Sequence, residues 1–321
     1  MDRPGALTQL RAVLRGFATA YLPDAPRWCV ALSGGPDSLA LAAAAVTVLP
    51  TTALIIDHGL QRGSAAVADT ARTHALSLGC VAALVIRVEV GTDGGPEAAA
   101  RTARYAALRQ ARDGAPVLIG HTLDDQAETV LLGLGRGSGP RSIAGIRPYD
   151  PPWCRPLLGV RRSVTEAACV ELGIEPWRDP HNRDPRFTRA RLRAEVLPLL
   201  EDVLGGGVAE ALARTATALQ EDGDVLDGIA GRALADAQAG GAGLSVDALT
   251  PLPDAVRRRV IRGWLQSGGA LRLTAKQILG VDALVTSWRG QGGVAVGSDL
   301  SGQRLVAGRR NGVLTLSREP V

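Results

Sequence analysis

Residues Leu32-Ser33-Gly34-Gly35-Pro36-Asp37-Ser38 follow a short apolar run, Trp28–Leu32, and open an alanine-rich segment that is helical in pattern. Strand, glycine turn and helix N-terminus in that order make a phosphate loop. The glycines let backbone N–H groups approach an anion closely, and the helix N-terminus adds a favourable dipole. Ser33 and Ser38 supply hydroxyl donors. A Walker A loop is excluded, because it needs a lysine inside the motif and the sole lysine of the chain is Lys276. A dinucleotide fingerprint fits poorly too, since the GxGxxG spacing is missing.

The alternation continues beyond this turn. Trp28–Leu32, Ala53–Asp57, Ala82–Val88 and Val117–Gly120 are short, partly β-branched apolar runs, as buried parallel strands should be. Asp37–Leu49, Gly63–Leu78, Pro96–Arg112 and Leu123–Leu134 lie after them and read as helices. The expected fold is therefore α/β, a doubly wound, Rossmann-like parallel sheet. Past Gly135 the texture changes: Arg136–Trp153 is rich in Gly, Pro and Arg and reads as a loop. Leu197–Leu200 ends the first domain, and Gly205–Gly207 is the expected hinge. This gives a catalytic domain over 1–205 and a smaller, mainly helical C-terminal domain over 206–321. In the latter, Val208–Ala237, Asp254–Gln266 and Thr274–Trp288 read as helices, and Gly293–Ser317 as a small antiparallel element.

Composition narrows the class. At 321 residues, with 46% hydrophobic and 21% charged, the chain is an ordinary globular protein long enough for two cores. No apolar run approaches the roughly 20 residues of a membrane span, and MDRPGALTQL has no export-signal pattern, so the expected location is cytoplasmic. Net charge of +4 suits an acidic partner. Because arginine replaces lysine almost throughout, arginine abundance says little, and only arginine clustering counts. The four cysteines, Cys29, Cys80, Cys154 and Cys169, lack close-ligand spacing and read as free buried thiols.

The turn resembles the SGGxDS signature of the PP-loop pyrophosphatases, which split ATP between its α and β phosphates. The resemblance implies ATP binding by Ser33, Gly34, Gly35, Pro36, Asp37 and Ser38. It also implies a Mg²⁺ held in part by Asp37, since a carboxylate beside bare polyphosphate would be repelled. Further stretches follow in order: Asp57-His58-Gly59-Leu60, Ala100-Arg101-Thr102-Ala103-Arg104-Tyr105, Gly120-His121-Thr122-Leu123-Asp124-Asp125-Gln126-Ala127-Glu128-Thr129, Arg136-Gly137-Ser138-Gly139 and Arg155-Pro156-Leu157-Leu158. Over residues 28–200 this series is similar to the tRNA(Ile)-lysidine synthase family.

That family adenylates the C2 oxygen of the anticodon wobble cytidine of tRNA(Ile) with a CAU anticodon, releasing pyrophosphate. Lysine then attacks C2, AMP leaves, and decoding changes from AUG to AUA. The resemblance implies ATP, Mg²⁺, L-lysine and that tRNA as partners, no tightly bound organic cofactor, no membrane, and a homodimer. It puts Asp57, His58, His121 and Asp124 near ATP. Asp125 and Glu128, three apart on a helix, can receive ammonium groups. Arg101 can hold lysine's carboxylate or the α-phosphate with its planar fork. Asp37, Asp125 and Glu128 are all candidates for the general base, and Asp37, Arg101, Asp125 and Glu128 form the expected catalytic set.

Between Trp177 and Arg193 six arginines stand against two acids, a density above the chain's background. Arg178, Arg186, Arg189 and Arg193 are the expected tRNA contacts. The segment departs from the family pattern at His181, where Ser is usual, and at Ala190, where Asn is usual. Another PP-loop tRNA-modifying or adenylating enzyme, or a PP-loop fold retained only to bind RNA, are the rival readings. The scattered cysteines weigh against a thiolase. Retention of both SGGxDS and DDQAE weighs against a dead fold.

Overall fold

The computed structural model describes residues 4–59, 63–91, 95–137, 139–180, 184–238, 241, 243–298 and 302–320. Leu60, Ser138 and the departure at His181 lie outside them. The chain forms two compact units, Met1–Thr217 and Ala218–Val321.

In the first unit the strands are β1 (Trp28–Ala31), β2 (Thr51–Asp57), β3 (Ala82–Arg87), β4 (Val117–Leu118), β5 (Tyr149–Asp150) and β6 (Trp153–Cys154). They form one sheet in the order β3-β2-β1-β4-β6-β5. All its pairings are parallel except β5 with β6. Strand order runs one way from β1 through β2 to β3 and the other way through β4. The carboxyl ends of β1 and β4 therefore flank a topological switch point, where such sheets bind ligands.

Helices α1 (Ala6–Tyr21), α2 (Pro36–Ala45), α3 (Ser64–Ser77), α4 (Pro96–Ala111) and α5 (Leu123–Gly135) accompany these strands. From Ser38 to Ala45 every residue of α2 is buried. A helix apolar all round must be enclosed, and its run of alanines lets α1, the Arg162–Glu171 helix and the sheet approach it closely. Here α6 is Pro140–Ile143 and α7 is Arg162–Glu171. Trp28 anchors the start of β1, donating from Nε1 to Thr51 Oγ1 at 2.7 Å.

The stretch expected to be loop, Arg136–Trp153, is only partly so. It contains α6 and β5, and Trp153 enters the sheet. Trp153 and Cys154 are both buried, and burial outweighs the Gly/Pro texture before them. Neither α1 nor α7 was among the elements expected from periodicity.

Residues 188–203 form α8 (Thr188–Arg191), a π-helical turn over Leu192–Val196, and α9 (Leu197–Val203). Gly205, Gly206 and Gly207 follow, all at positive φ, and α10 runs over Val208–Ala237. The two units divide inside α10 rather than at the glycine run.

In the second unit, β7 (Leu244–Ser245), β8 (Ala270–Leu271), β9 (Val294–Ser298), β10 (Gln303–Arg310) and β11 (Val313–Pro320) make a sheet ordered β7-β11-β10-β9-β8. The tail is thus antiparallel as its turns implied, and β7 and β8 enlarge it. Asn311 and Gly312, both at positive φ, close the β10–β11 hairpin, as a tight turn compatible with strand twist requires. Helices α11 (Val246–Leu249), α12 (Asp254–Ser267) and α13 (Ala275–Thr286) complete the unit. Ile261, Trp264, Leu265 and Val281 join Leu244 and Leu314 in one core.

Candidate active site

The phosphate loop leaves β1 and enters α2. Gly34 sits at φ +81°, a conformation that costs glycine nothing. The loop is braced from within. Ser33 N–H donates to Ser38 Oγ at 3.2 Å, and Ser38 Oγ donates to Gly35 O at 3.0 Å. From outside, Trp177 N–H donates to Gly34 O at 2.9 Å. Gly120, at the end of β4, lies so close that a Cβ there would stand 3.1 Å from the backbone oxygen of Asp37. A side chain here would push β4 and the loop apart by a few tenths of an ångström, so glycine suits the close approach.

Those next residues start α5. Thr122 is its N-cap, and both Thr122 N–H and Oγ1 donate to Asp125 Oδ2, at 2.8 and 2.9 Å. Asp125 therefore does cap the helix start, but its other oxygen faces a charge cluster. Arg162 stands at the centre. Its Nε reaches Asp37 Oδ2 at 3.1 Å, Nη2 reaches Asp125 Oδ1 at 2.8 Å, and Nη1 lies 3.7 Å from Glu128 Oε1. Asp37 also accepts a hydrogen bond from Thr165 Oγ1. Asp124 accepts from the Arg162 backbone N–H at 2.7 Å and pairs with Arg161 Nη2 at 3.4 Å. Arg161 further reaches Glu201 and Glu210, each at 3.3 Å.

Two arginines of the clustered segment join the same acids. Arg193 Nε meets Glu128 Oε1 at 2.7 Å and Nη2 meets Asp125 Oδ1 at 3.3 Å. Arg189 Nη1 lies 3.5 Å from Glu128 Oε2. Glu128 is fully buried, yet Oε2 has no hydrogen-bond partner among the described residues. Arg178 and Arg186 are not part of this cluster. Arg178 lies 3.9 Å from Glu166 on the surface, and Arg186 turns back on Asp184 at 2.6 Å.

The acids differ in basicity. Burial pushes the Asp37 carboxyl above its ordinary range, and Arg162 and Thr165 only partly offset it. Burial acts on Asp125 in the same direction, but the Arg162 charge and the Thr122 N–H outweigh it and hold this carboxyl low. Asp37 is thus a better proton acceptor than Asp125. One carboxylate beside a phosphate loop also suits Mg²⁺, which takes few protein ligands and keeps phosphate and water oxygens.

Across the switch point, Asp57 at the end of β2 accepts from Gly59 N–H at 2.9 Å, and that bond with one from Ser64 holds its carboxyl low. It is occupied in turning the chain. His58 and His121 are both depressed by burial, His121 to about 4. At neutral pH His121 is therefore uncharged. Arg101 is exposed, with its guanidinium 4.9 Å from the Tyr105 ring centre. The structure gives it no contact with Asp125 or Glu128.

Sequence models of two families match the chain: a PP-loop domain over residues 8–200 and a TilS substrate binding domain over 244–312. A tRNA(Ile)-lysidine synthase of Mycobacterium bovis is 72% identical over all of both chains. Those of Mycobacterium leprae and Nocardia farcinica are 67% and 61% identical, over 100% and 97% of this chain and 100% and 98% of theirs. The chain belongs to the tRNA(Ile)-lysidine synthase family. Among solved structures, the U34-tRNA thiolase NcsA of Methanococcus maripaludis matches with a TM-score of 0.55 at 18% identity. It covers 67% of this chain and 80% of its own, and the likeness is one of fold.

Within this lysidine synthase family member, sequence reasoning missed Arg161 and Arg162, the residues that tie the acids together. A signal existed. Arg161 is the N-cap and Arg162 the first residue of α7, where cations oppose the helix dipole. A pair of arginines in that place implies carboxylates nearby. Gln126, quoted within the DDQAET stretch, is structural: it accepts from Ile146 N–H at 2.6 Å and donates to Ile146 O at 2.9 Å.

Proposed function

We propose that this chain ligates L-lysine to C2 of the wobble cytidine of tRNA(Ile) with a CAU anticodon, consuming ATP. The observation that carries the reading is a phosphate loop whose first helix presents Asp37 to a buried carboxylate cluster on α5. Full-length likeness to named lysidine synthases supports it. The loop, Ser33–Ser38, receives the polyphosphate of MgATP, with Asp37 as the protein's Mg²⁺ ligand. His58, His121 and Asp124 line the nucleotide side, and Asp57 shapes that wall.

In the first step the C2 oxygen of cytidine attacks the α-phosphorus and pyrophosphate leaves. In the second, lysine's ε-amine attacks C2 and AMP leaves with the former C2 oxygen. Asp125 and Glu128 receive lysine's ammonium groups, and Arg101 meets negative charge developing on phosphate. The attacking amine must lose a proton, and Asp37, Asp125 and Glu128 are the candidate carboxylates to take it. Arg178, Arg186, Arg189 and Arg193 face the tRNA backbone. Through Arg189 and Arg193 that contact reaches the α5 acids directly. The reaction takes place in the cytoplasm, and the active species is a homodimer.

The test is product analysis. With tRNA(Ile), lysine and ATP, AMP and pyrophosphate should appear together and depend on the tRNA. Formation of ADP and orthophosphate would overturn the assignment.

A further inference from the structure

Strand β3 ends the first unit's sheet and, among the described residues, pairs with β2 alone. Its sequence, Ala82-Ala83-Leu84-Val85-Ile86-Arg87, is apolar on both faces until the last residue. Open edge strands are ordinarily blunted by lysine, proline or a bulge, because their free N–H and C=O groups invite another strand. β3 has no lysine or proline, and its register with β2 runs unbroken from Ala82 beside Thr52 to Arg87 beside Asp57. Leu84 and Val85, on opposite faces, are 45% and 43% exposed. Val81 N–H donates to Thr51 O, so alternation along the strand turns the backbone groups of Ala82, Leu84 and Ile86 to the open edge. Helix α3 packs on β2 and β3 alike. Ala65, Asp69, Arg72 and Leu76 follow one another at helical spacing and form a single exposed stripe along it. The first three line one recess with Ala83, Leu84 and Val85, and Asp69 pairs with Arg72 at 3.6 Å.

The α3 stripe is complementary to itself with its ends reversed. Set antiparallel about its midpoint, Asp69 of one copy meets Arg72 of the other, and small Ala65 meets large Leu76. A two-fold contact between identical chains requires this kind of self-complementarity. The strand agrees with the helix. Antiparallel pairing of β3 with itself about Leu84 lets the Leu84 N–H and C=O of each copy bond those of the other. Because α3 lies over β2 and β3 together, its axis is inset from the edge by about half a strand spacing. Two such helices across one strand gap then stand about 10 Å apart, which is a packing distance for helices. Strand and helix each offer about 20 Å of length, from six residues and fourteen. We infer that a second copy of this chain docks here, β3 edge to edge and α3 face to face, so that the two sheets become one. This inference rests on the homodimer proposed above and supplies its interface.

Sedimentation velocity of the full-length enzyme over a concentration series reads the dimer dissociation constant, and the unmutated enzyme should sediment as a dimer. Asp69→Arg alone and Arg72→Asp alone each set like charges against each other twice per dimer. Either should raise the constant by at least about tenfold. The double swap restores opposite charges and should recover the unmutated constant. So should an equimolar mixture of the two single variants, in which every facing pair is opposite in sign. Leu84→Lys puts a charge on the open edge and should weaken the dimer independently. All three side chains are exposed, and thermal unfolding checks that each variant is folded. A dimer of unchanged strength in both charge variants and in Leu84→Lys overturns the interface and leaves the homodimer standing. Weakening that neither the double swap nor the mixture repairs overturns it too. An unmutated enzyme that stays monomeric at every concentration overturns the homodimer and this interface together, and lysine ligation by the same preparation is read separately.

Discussion

Two buried arginine–carboxylate clusters, one in each unit, differ in how completely they are closed. In the second unit Arg257 gives Nε to Asp282 at 2.6 Å, Nη1 to Leu252 O at 2.8 Å and Nη2 to Asp254 at 2.7 Å. Asp282 also receives Arg258 Nε at 3.1 Å. Arg257 is 5% exposed and Asp282 4%, so the pair pins α12 to α13 inside the core. In the first unit Arg162 is shared among Asp37, Asp125 and Glu128. Glu128 Oε2 retains unused acceptor capacity, and Asp37 is held above its ordinary carboxyl range. A satisfied pair has nothing left to offer a ligand, whereas the unsatisfied cluster can still take a cation or a proton. Burial and ion pairing alone would have ranked the two equally. Counting the donors and acceptors left over separates scaffold from site.

The comparison predicts opposite consequences for conservative amides. Asp282→Asn should cost about 3–5 kcal/mol of stability, because it removes the buried counter-charge of Arg257 and leaves only exposed Asp254, and leave KM for lysine and ATP unchanged in the folded fraction. Urea unfolding beside steady-state kinetics reads both. An altered lysine KM with stability intact would abolish the distinction. Asp37→Asn should do the reverse, lowering kcat by on the order of 10²-fold or more with no loss of stability.

The pH dependence of stability sharpens this second case. The folded-state pKa of Asp37 is raised, so its contribution to stability is full below the unfolded value near 3.9 and is lost as pH rises through the folded value. Asp37→Asn should therefore gain stability relative to the unmutated protein as pH climbs above about 4. Asp125 has the opposite sign. Its stabilisation is present above that unfolded value and lost as pH falls through the lower folded one.

Much of this arrangement was legible in the chain. The glycine turn, the parallel strands before and after it and the acidic start of α5 each follow from local pattern, and each stands where expected. The sheet's last strands were missed because Trp153 and Cys154 are a two-residue strand behind a Pro/Gly-rich stretch. A run that short carries no periodicity. The role of Arg161 and Arg162 was missed because their partners stand more than 30 positions away, Arg162 from Asp37 by 125. Local spacing cannot report such a contact. The arginine segment reads as uniform in sequence, yet the fold splits it into Arg189 and Arg193 on the α5 acids and Arg186 on Asp184.

That split sets the smaller effects. Asp125→Asn and Glu128→Gln should each raise the KM for lysine about 10- to 150-fold, far more than that for ATP. An unchanged lysine dependence in both would make α5 a structural helix. Arg186→Ala should lower the slope of log K for tRNA against log salt by roughly 0.7–0.9 and leave the lysine KM alone. Replacing Arg186, Arg189 and Arg193 together should change the slope by about 2–3 and disturb lysine binding as well. A triple variant with the original slope would remove this segment from the RNA interface.

In the proposed reaction the open cluster beside the phosphate loop joins lysine to a cytidine of tRNA(Ile). Mass analysis of nucleosides from that tRNA, after incubation with the enzyme, ATP and lysine, tests it most directly. A new nucleoside with the mass of cytidine plus lysine less one water is expected, absent when ATP, lysine or enzyme is omitted. Unmodified cytidine under conditions where the tRNA binds and ATP is turned over would contradict it.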